Sequence, residues 1–259
     1  MDKFVNKLKE VLPPILLIAA LIICWEVASI AFKVPEFLLP KPSRIAEVIV
    51  LRYAVLWKNL LITLEEVLLG LVVGFVGGFG LALIMFFSPV MRRTLNPIVV
   101  ISQTIPVIAL GPILVIWLGY NIMPKIIIVA LIVFFPITVN TFDGLVSCDQ
   151  DLITLLKSMG ASRWQIFTKV QLPNALPFVT SASKVAITFS VIGAVTAEWI
   201  GSDKGLGAYI LQSNARIRTP EMFAAILVTA LMGIIMFFIA QIAENMIIPW
   251  QKGRKLKTK

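Results

Sequence analysis

Long apolar runs alternate along the chain with short polar breaks, and each run approaches the roughly twenty residues that a helix needs to cross a bilayer. Six runs stand out, at about 14–32, 60–87, 97–118, 125–142, 177–199 and 222–249. They are continuous rather than alternating, which excludes a membrane β-barrel. The expected fold class is all-α: one polytopic domain over 1–259 with six transmembrane helices, its membrane core at about 14–249. The second run is longer than a span requires, so it should tilt or project. It carries Gly70, Gly74 and Gly78 at a spacing of four, a face that lets another helix approach closely. Packing within the chain is preferred over dimerisation as the use of that face. Pro106, Pro112 and Pro136 interrupt helical bonding in or beside their runs.

Two polar stretches between the runs have structure of their own. Residues 43–57 read as an amphipathic helix lying flat on the outer surface, with Ser43 as N-cap before Ile45, Val48, Ile49 and Leu56. Residues 143–176 form a long polar loop in a chain that otherwise keeps its loops short. A loop cannot satisfy its backbone in lipid, so this segment belongs outside the bilayer. Within it Gly160 permits a tight turn, Ala161 and Ser162 can open a short helix, and Ser162 is a fair N-cap before Arg163. Trp164 and Phe167, three apart, should share one face of that helix beside Arg163. Such a face serves either as a protein-docking anchor or as an aromatic patch at the headgroups.

Composition agrees with the pattern. The 259 residues are 59% hydrophobic with a mean hydropathy of +0.94, too apolar for a soluble domain. The net charge of +9 invites a nucleic-acid reading, but Lys and Arg beside membrane helices set orientation instead. Six spans put both termini on one side. That side collects Lys3, Lys7, Lys9, Arg92, Arg93, Lys157, Arg163, Lys169 and a terminal cluster from Lys252 to Lys259. The other side, with Lys33, Lys41, Arg44, Arg52, Lys58, Lys125, Lys204, Arg216 and Arg218, holds fewer. Both termini are therefore expected in the cytoplasm of a cell-membrane protein, with no cleavable signal peptide.

The chemistry available is narrow. Histidine is absent, which removes His acid–base catalysis and His metal ligation. Cys24 and Cys148 fall at different depths, so neither a disulfide nor a thiolate metal site is expected, and nothing marks a cofactor. An intramembrane enzyme would rest on Ser181 or Ser183 with Lys184, of which only Ser181 lies three residues from the lysine. Lys184 is otherwise expected to snorkel or pair. No Gly-x4-Gly-Lys-Ser/Thr loop is present, so any ATP-driven work needs a second protein. A non-catalytic membrane scaffold shares the architecture. Polar residues within the runs are candidates for a solute pathway or for contacts between helices: Ser102, Gln103, Thr104, Asn140 and Thr141. Glu66 and Glu198 are ionisable groups near the ends of spans, and Glu198 is taken as a pathway candidate.

The run from Gly160 through Trp164 and Phe167 to Leu172-Pro173 resembles the coupling loop of permease subunits of bacterial ABC importers. Leu39-Pro40-Lys41-Pro42-Ser43, and Glu198-Trp199-Ile200-Gly201 with Gly205-Leu206-Gly207, resemble the same family. The resemblance covers about 39–248. Thr154, Leu155 and Leu156 stand where the family's loop begins Glu-Ala-Ala. It implies the type I permease fold and a subunit that hydrolyses no ATP. Two ATPase subunits would dock at Gly160, Ala161, Ser162, Arg163, Trp164, Phe167, Leu172 and Pro173. A second copy of the chain would complete the pathway, an extracytoplasmic binding protein would deliver solute, and transport would proceed by alternating access. Gln103, Thr104, Asn140 and Glu198 would lie along the pathway. Within the family, the segments around Gln103–Pro106 and Phe134–Gly144, and Glu66 where many sulfonate-type members carry Arg, look more like the riboflavin and thiamine-precursor branch than like the nitrate, taurine and sulfonate branch.

Overall fold

A computed structural model of the chain describes residues 2–249, with side chains from residue 12 onward. The side chains of Lys3, Lys7 and Lys9 and the cluster 252–259 lie outside the described residues. The described chain is helical, with no strand among those residues. In order the helices are α1 (Asp2–Ala31), α2 (Pro42–Leu51), α3 (Tyr53–Phe87), α4 (Pro89–Ser102), α5 (Val107–Leu118) and α6 (Met123–Val146). There follow α7 (Gln150–Ser158), α8 (Arg163–Ile166), a π turn (Phe167–Gln171), α9 (Leu172–Gly201), α10 (Leu206–Ala215) and α11 (Thr219–Ile247).

Five helices are long and apolar enough to cross a membrane, and a sixth crossing exists if α4 and α5 together make one. The expected third span, 97–118, is therefore not one rod. It begins earlier, at Pro89, and bends by 96° between α4 and α5. Pro106 is the cause: it has no N–H and forces the residue before it out of the helical region. Beside the break the hydroxyls bond back to the preceding turn, Ser102 Oγ donating to Val99 O (2.7 Å) and Thr104 Oγ1 to Ile101 O (2.8 Å).

The core lies where α6 passes between α3 and α9. Val67, Val129, Val133, Ile137, Ala182, Ala186 and Ala194 are buried there together. The glycine face of α3 makes the close approach possible. A Cβ on Gly70 would sit 2.4 Å from the Val129 side chain, and one on Gly74 or Gly78 would sit 2.7 or 2.6 Å from a carbonyl oxygen of α6. The small-residue face thus packs within the chain.

Two expectations near the start of the chain are corrected. Residues 43–57 are not one surface helix, because α2 ends at Leu51 and Tyr53 already opens the α3 span. Ser43 is also not the N-cap; Lys41 holds that position and Pro42 opens the helix. Ser43 instead meets Glu26 of α1, its N–H donating to Oε2 (3.0 Å) and its hydroxyl to Oε1 (2.8 Å). The apolar face of α2 is covered by protein, with Ile45 and Val48 buried among Leu206, Ile210, Ala224 and Ala225 of α10 and α11.

Candidate functional site

The polar loop folds into a compact knee. Asp149 caps α7, its Oδ1 accepting from the Asp151 N–H (2.9 Å). Helix α7 turns Ile153 inward onto Cys148 and Ile166, and leaves Leu152, Leu155 and Met159 exposed. Burial there pushes the Cys148 thiol above its ordinary range. The helix ends on Gly160 at φ +84°, with Gly160 N–H donating to Lys157 O and Ala161 N–H to Leu156 O (each 3.0 Å). A left-handed residue closed by that pair of bonds is the usual glycine stop of a helix. Ser162 then starts α8 with a reciprocal cap: its Oγ accepts from Gln165 N–H (3.2 Å), and Gln165 Oε1 accepts from Ser162 N–H (2.8 Å). The N-cap expected of Ser162 is observed.

Helix α8 does not stop after four residues. It runs through the π turn into α9, so Arg163–Gly201 is one apolar-capable helix of 39 residues. The π turn lies just before Pro173, whose missing N–H and bulky ring disturb the preceding turn. Leu172 packs beside Leu145, Phe167 and Ala175. Trp164 and Phe167 are neighbours, with ring centroids 5.5 Å apart, but they do not form a common outward face. Trp164 is 66% exposed, whereas Phe167 is 5% exposed and wedged against Phe86 and Phe87. Phe167 therefore anchors the knee from inside. The outward apolar surface is Trp164 with Leu155 and Met159, two residues that helical spacing in the polar loop could have flagged.

The pathway candidates are scattered. Gln103 lies at the α4–α5 break and lines a cavity of about 610 Å³ with Ser102, Phe134, Phe135, Pro136 and Phe189. Thr104 is exposed and bonded back to its own helix. Asn140 lies outside that lining and donates to Pro136 O (2.8 Å). Lys184 reaches α11 and donates to Glu244 Oε2 (2.6 Å), while Ser183 donates to Val179 O (2.8 Å). The Ser–Lys dyad is therefore not formed at Ser183, and the lysine is spent on a carboxylate.

Glu198 is the largest departure. Expected on the pathway, it is 1% exposed and enclosed by its own chain at the end of the bundle opposite the knee. Thr63 Oγ1 donates to its Oε1 (2.6 Å), and the Gly207 and Ala208 N–H groups donate to its Oε2. Glu66 lies beside it and accepts from Lys125 Nζ (2.6 Å), which also donates to Ser202 Oγ (2.8 Å). Lys125 is thus a buried partner and not one of the surface charges that orient the chain. Sequence reasoning missed Asn59 and Thr63 here, because no local pattern links them to residues some 140 positions away.

Residues 68–252 match the family described as binding-protein-dependent transport system inner membrane component. The chain is 37% identical over 244 residues to the formylaminopyrimidine transport permease protein ThiX of Halalkalibacterium halodurans, covering 94% of this chain and 97% of that one. It is 36% identical over 229 residues to a probable ABC transporter permease of Haemophilus influenzae (88% and 94%). It is 30% identical to the riboflavin permease RibX of Chloroflexus aurantiacus (89% and 87%), and 28% identical to the taurine permease TauC of Escherichia coli (89% and 86%). The fold is shared with the inward-facing MetNI methionine ABC transporter at a TM-score of 0.62, with 22% identity over 78% of this chain and 97% of that one. Subunits of this kind are non-catalytic, and ATP hydrolysis sits in a separate chain. The helical architecture with five or six apolar spans, the family match and the matched permeases agree: this chain belongs to the binding-protein-dependent permeases, the membrane subunits of ABC importers.

Proposed function

We propose that the importer carries a neutral, planar heteroaromatic solute of the thiamine-precursor or riboflavin class. The observation that carries this reading is the 37% identity, over nearly the whole of both chains, to a formylaminopyrimidine permease. The cavity at the broken helix supports it. Its lining includes three phenylalanines and the Gln103 amide, and no charged side chain. An aromatic ring stacks well on such walls, and one amide can read a ring edge. A taurine or sulfonate would leave its anionic group unpaired there.

In the same reading, residues 143–176 are the cytoplasmic coupling loop, and both termini lie on its side. The ATPase grips the knee at Gly160–Phe167, chiefly through the exposed Trp164, with the exposed Leu155 and Met159 just before it. Two copies of the chain enclose the pathway, and nucleotide-driven movement of the two knees alternates access to it. The test begins with affinity purification of the tagged permease from its native membrane, which is expected to bring down an ATPase chain and a binding protein. Calorimetry on that binding protein should show micromolar or tighter binding of formylaminopyrimidine or riboflavin and none of taurine. The reverse preference would overturn the substrate class and leave the permease assignment standing.

A further inference from the structure

The opening of α10 is held entirely by side chains from membrane helices. Gly205 N–H donates to Asn59 Oδ1 (2.9 Å) and Leu206 N–H to Thr63 Oγ1 (2.8 Å), both on α3. Gly207 and Ala208 N–H donate to Glu198 Oε2 on α9. The first N–H groups of a helix have no partner within it, and a local side chain usually caps them. Here the N-cap is Gly205, which has no side chain, at φ +104°. A Cβ on Gly205 would lie 2.0 Å from Glu198 Oε1, so the carboxylate occupies the space where a side chain would sit. Glu198 also binds Thr63, so one carboxylate joins α3, α9 and α10.

The same glutamate lies near the far end of the helix that starts at the knee. From Arg163 to Glu198 that helix covers about 50 Å at 1.5 Å per residue. Helix α10 in turn packs on the start of α11, against which α2 also lies, so that Ile45 and Val48 share one apolar cluster with Leu206 and Ile210. We propose that Glu198 is a positioning residue for transport: it makes α10, with the start of α11 packed on it, follow the far end of the Arg163–Gly201 helix when the knee moves. It touches no solute. The proposal rests on the reading of the knee as the ATPase dock.

The test uses the assembled complex with its ATPase in nanodiscs. A bimane label is placed at Asn214→Cys, at the exposed end of α10, in a Cys24→Ser, Cys148→Ser background. In the wild type, trapping with ATP and vanadate is expected to shift the label's emission. Glu198→Ala should speed amide exchange at residues 205–208 by about tenfold or more, since two buried donors lose their acceptor. It should also abolish the emission shift, with basal ATP hydrolysis and co-purification unchanged. Glu198→Gln should restore most of the shift, because its amide oxygen still accepts from both N–H groups. If Glu198→Ala does not assemble, Glu198→Met, which keeps most of the volume and offers no oxygen acceptor, gives the same two readouts.

Faster exchange with an intact emission shift would make the contact merely structural and overturn the proposal. So would unchanged exchange, or a wild-type label that ignores nucleotide. Trp164→Ala tests the dock separately: if that variant keeps its ATPase and its uptake, the reading of the knee fails, whatever the Glu198 variants show.

Discussion

The two ends of the helix running from Arg163 to Gly201 are stabilised in opposite ways. The knee end is local: Asp149, Gly160, Ser162 and Gln165 each bond to a partner within a few residues, and all four are exposed. The other end is long-range: Glu198, Thr63, Glu66, Lys125 and Asn59 come from distant regions of the chain and are almost wholly buried, Asn59 apart. A locally capped segment can shift as a unit without breaking its own bonds, as a docking element must. A segment held by distant buried groups can move only with the helices that hold it.

The largest expected effect strikes the buried end. Lys125→Met leaves Glu66 unpaired beside Glu198, with no cation to neutralise either carboxyl. Breaking a buried pair from one side costs about 3–5 kcal/mol. The variant is expected to melt far below wild type in detergent, if it accumulates at all. At the knee, Lys157→Met removes an exposed charge and should change stability by less than about 0.5 kcal/mol. Equal losses from the two variants, read by thermal unfolding, would erase the distinction between the ends.

Glycine substitutions sharpen it. A Cβ on Gly207 would stand 2.6 Å from Val195 O and 2.8 Å from Glu198 Oε2, and neither neighbour can yield. Gly207→Ala is expected to cost about 3 kcal/mol through overpacking and to abolish uptake. A methyl group on Gly160 would have nothing within 4 Å, so Gly160→Ala meets only its left-handed backbone, a cost of about 1–2 kcal/mol. Melting curves rank the two.

The same contrast explains what can be read from the sequence. Spans, the Gly70–Gly78 face and the Ser162 cap are legible because each is written in residues one to four positions apart. The break in the third span is half legible, since Pro106 announces an interruption but not its 96° angle. Glu198 stands out as an ionisable residue near a span end, but its partners are invisible. Its contact with Thr63 spans 135 positions, and nothing in the periodicity of α3 marks Thr63 as different from any other polar residue in an apolar run. Phe167 misleads for a related reason. Helical spacing puts it beside Trp164 correctly, but Phe86 and Phe87, which draw it inward, lie on a helix far away in sequence.

A smaller effect probes the knee alone. Ser162→Ala removes the reciprocal cap, at a cost of about 1 kcal/mol. Ile166, in the turn that the cap opens, covers Cys148. N-ethylmaleimide should react slowly with Cys148 in the wild type, because the thiol is buried and its thiolate is scarce. The variant should react faster, while amide exchange at 205–208 stays as it was. A rise in exchange at both ends would mean that the knee and the α10 junction open together.

The smallest effect is a pH dependence confined to α10. Tyr209 Oη donates to Glu221 Oε2 (2.9 Å), and Arg52 stands 3.4 Å from the same carboxylate. Burial, and then the hydrogen bond and charge of Glu221, push the Tyr209 phenol up from its ordinary 10 to about 12. The folded protein therefore holds this proton more tightly than the unfolded chain does. The resulting stabilisation is fully present below pH 10 and is lost as pH rises from 10 through 12. Tyr209→Phe should abolish that part of the decline, so the melting temperatures of variant and wild type should draw together across this window. The phenol is partly open to solvent, so the effect should be modest beside the loss from Lys125→Met. A parallel decline in both proteins would show that the phenol ionises alike in folded and unfolded chains, and that α10 depends on the contacts of Glu198 and not on those of Glu221.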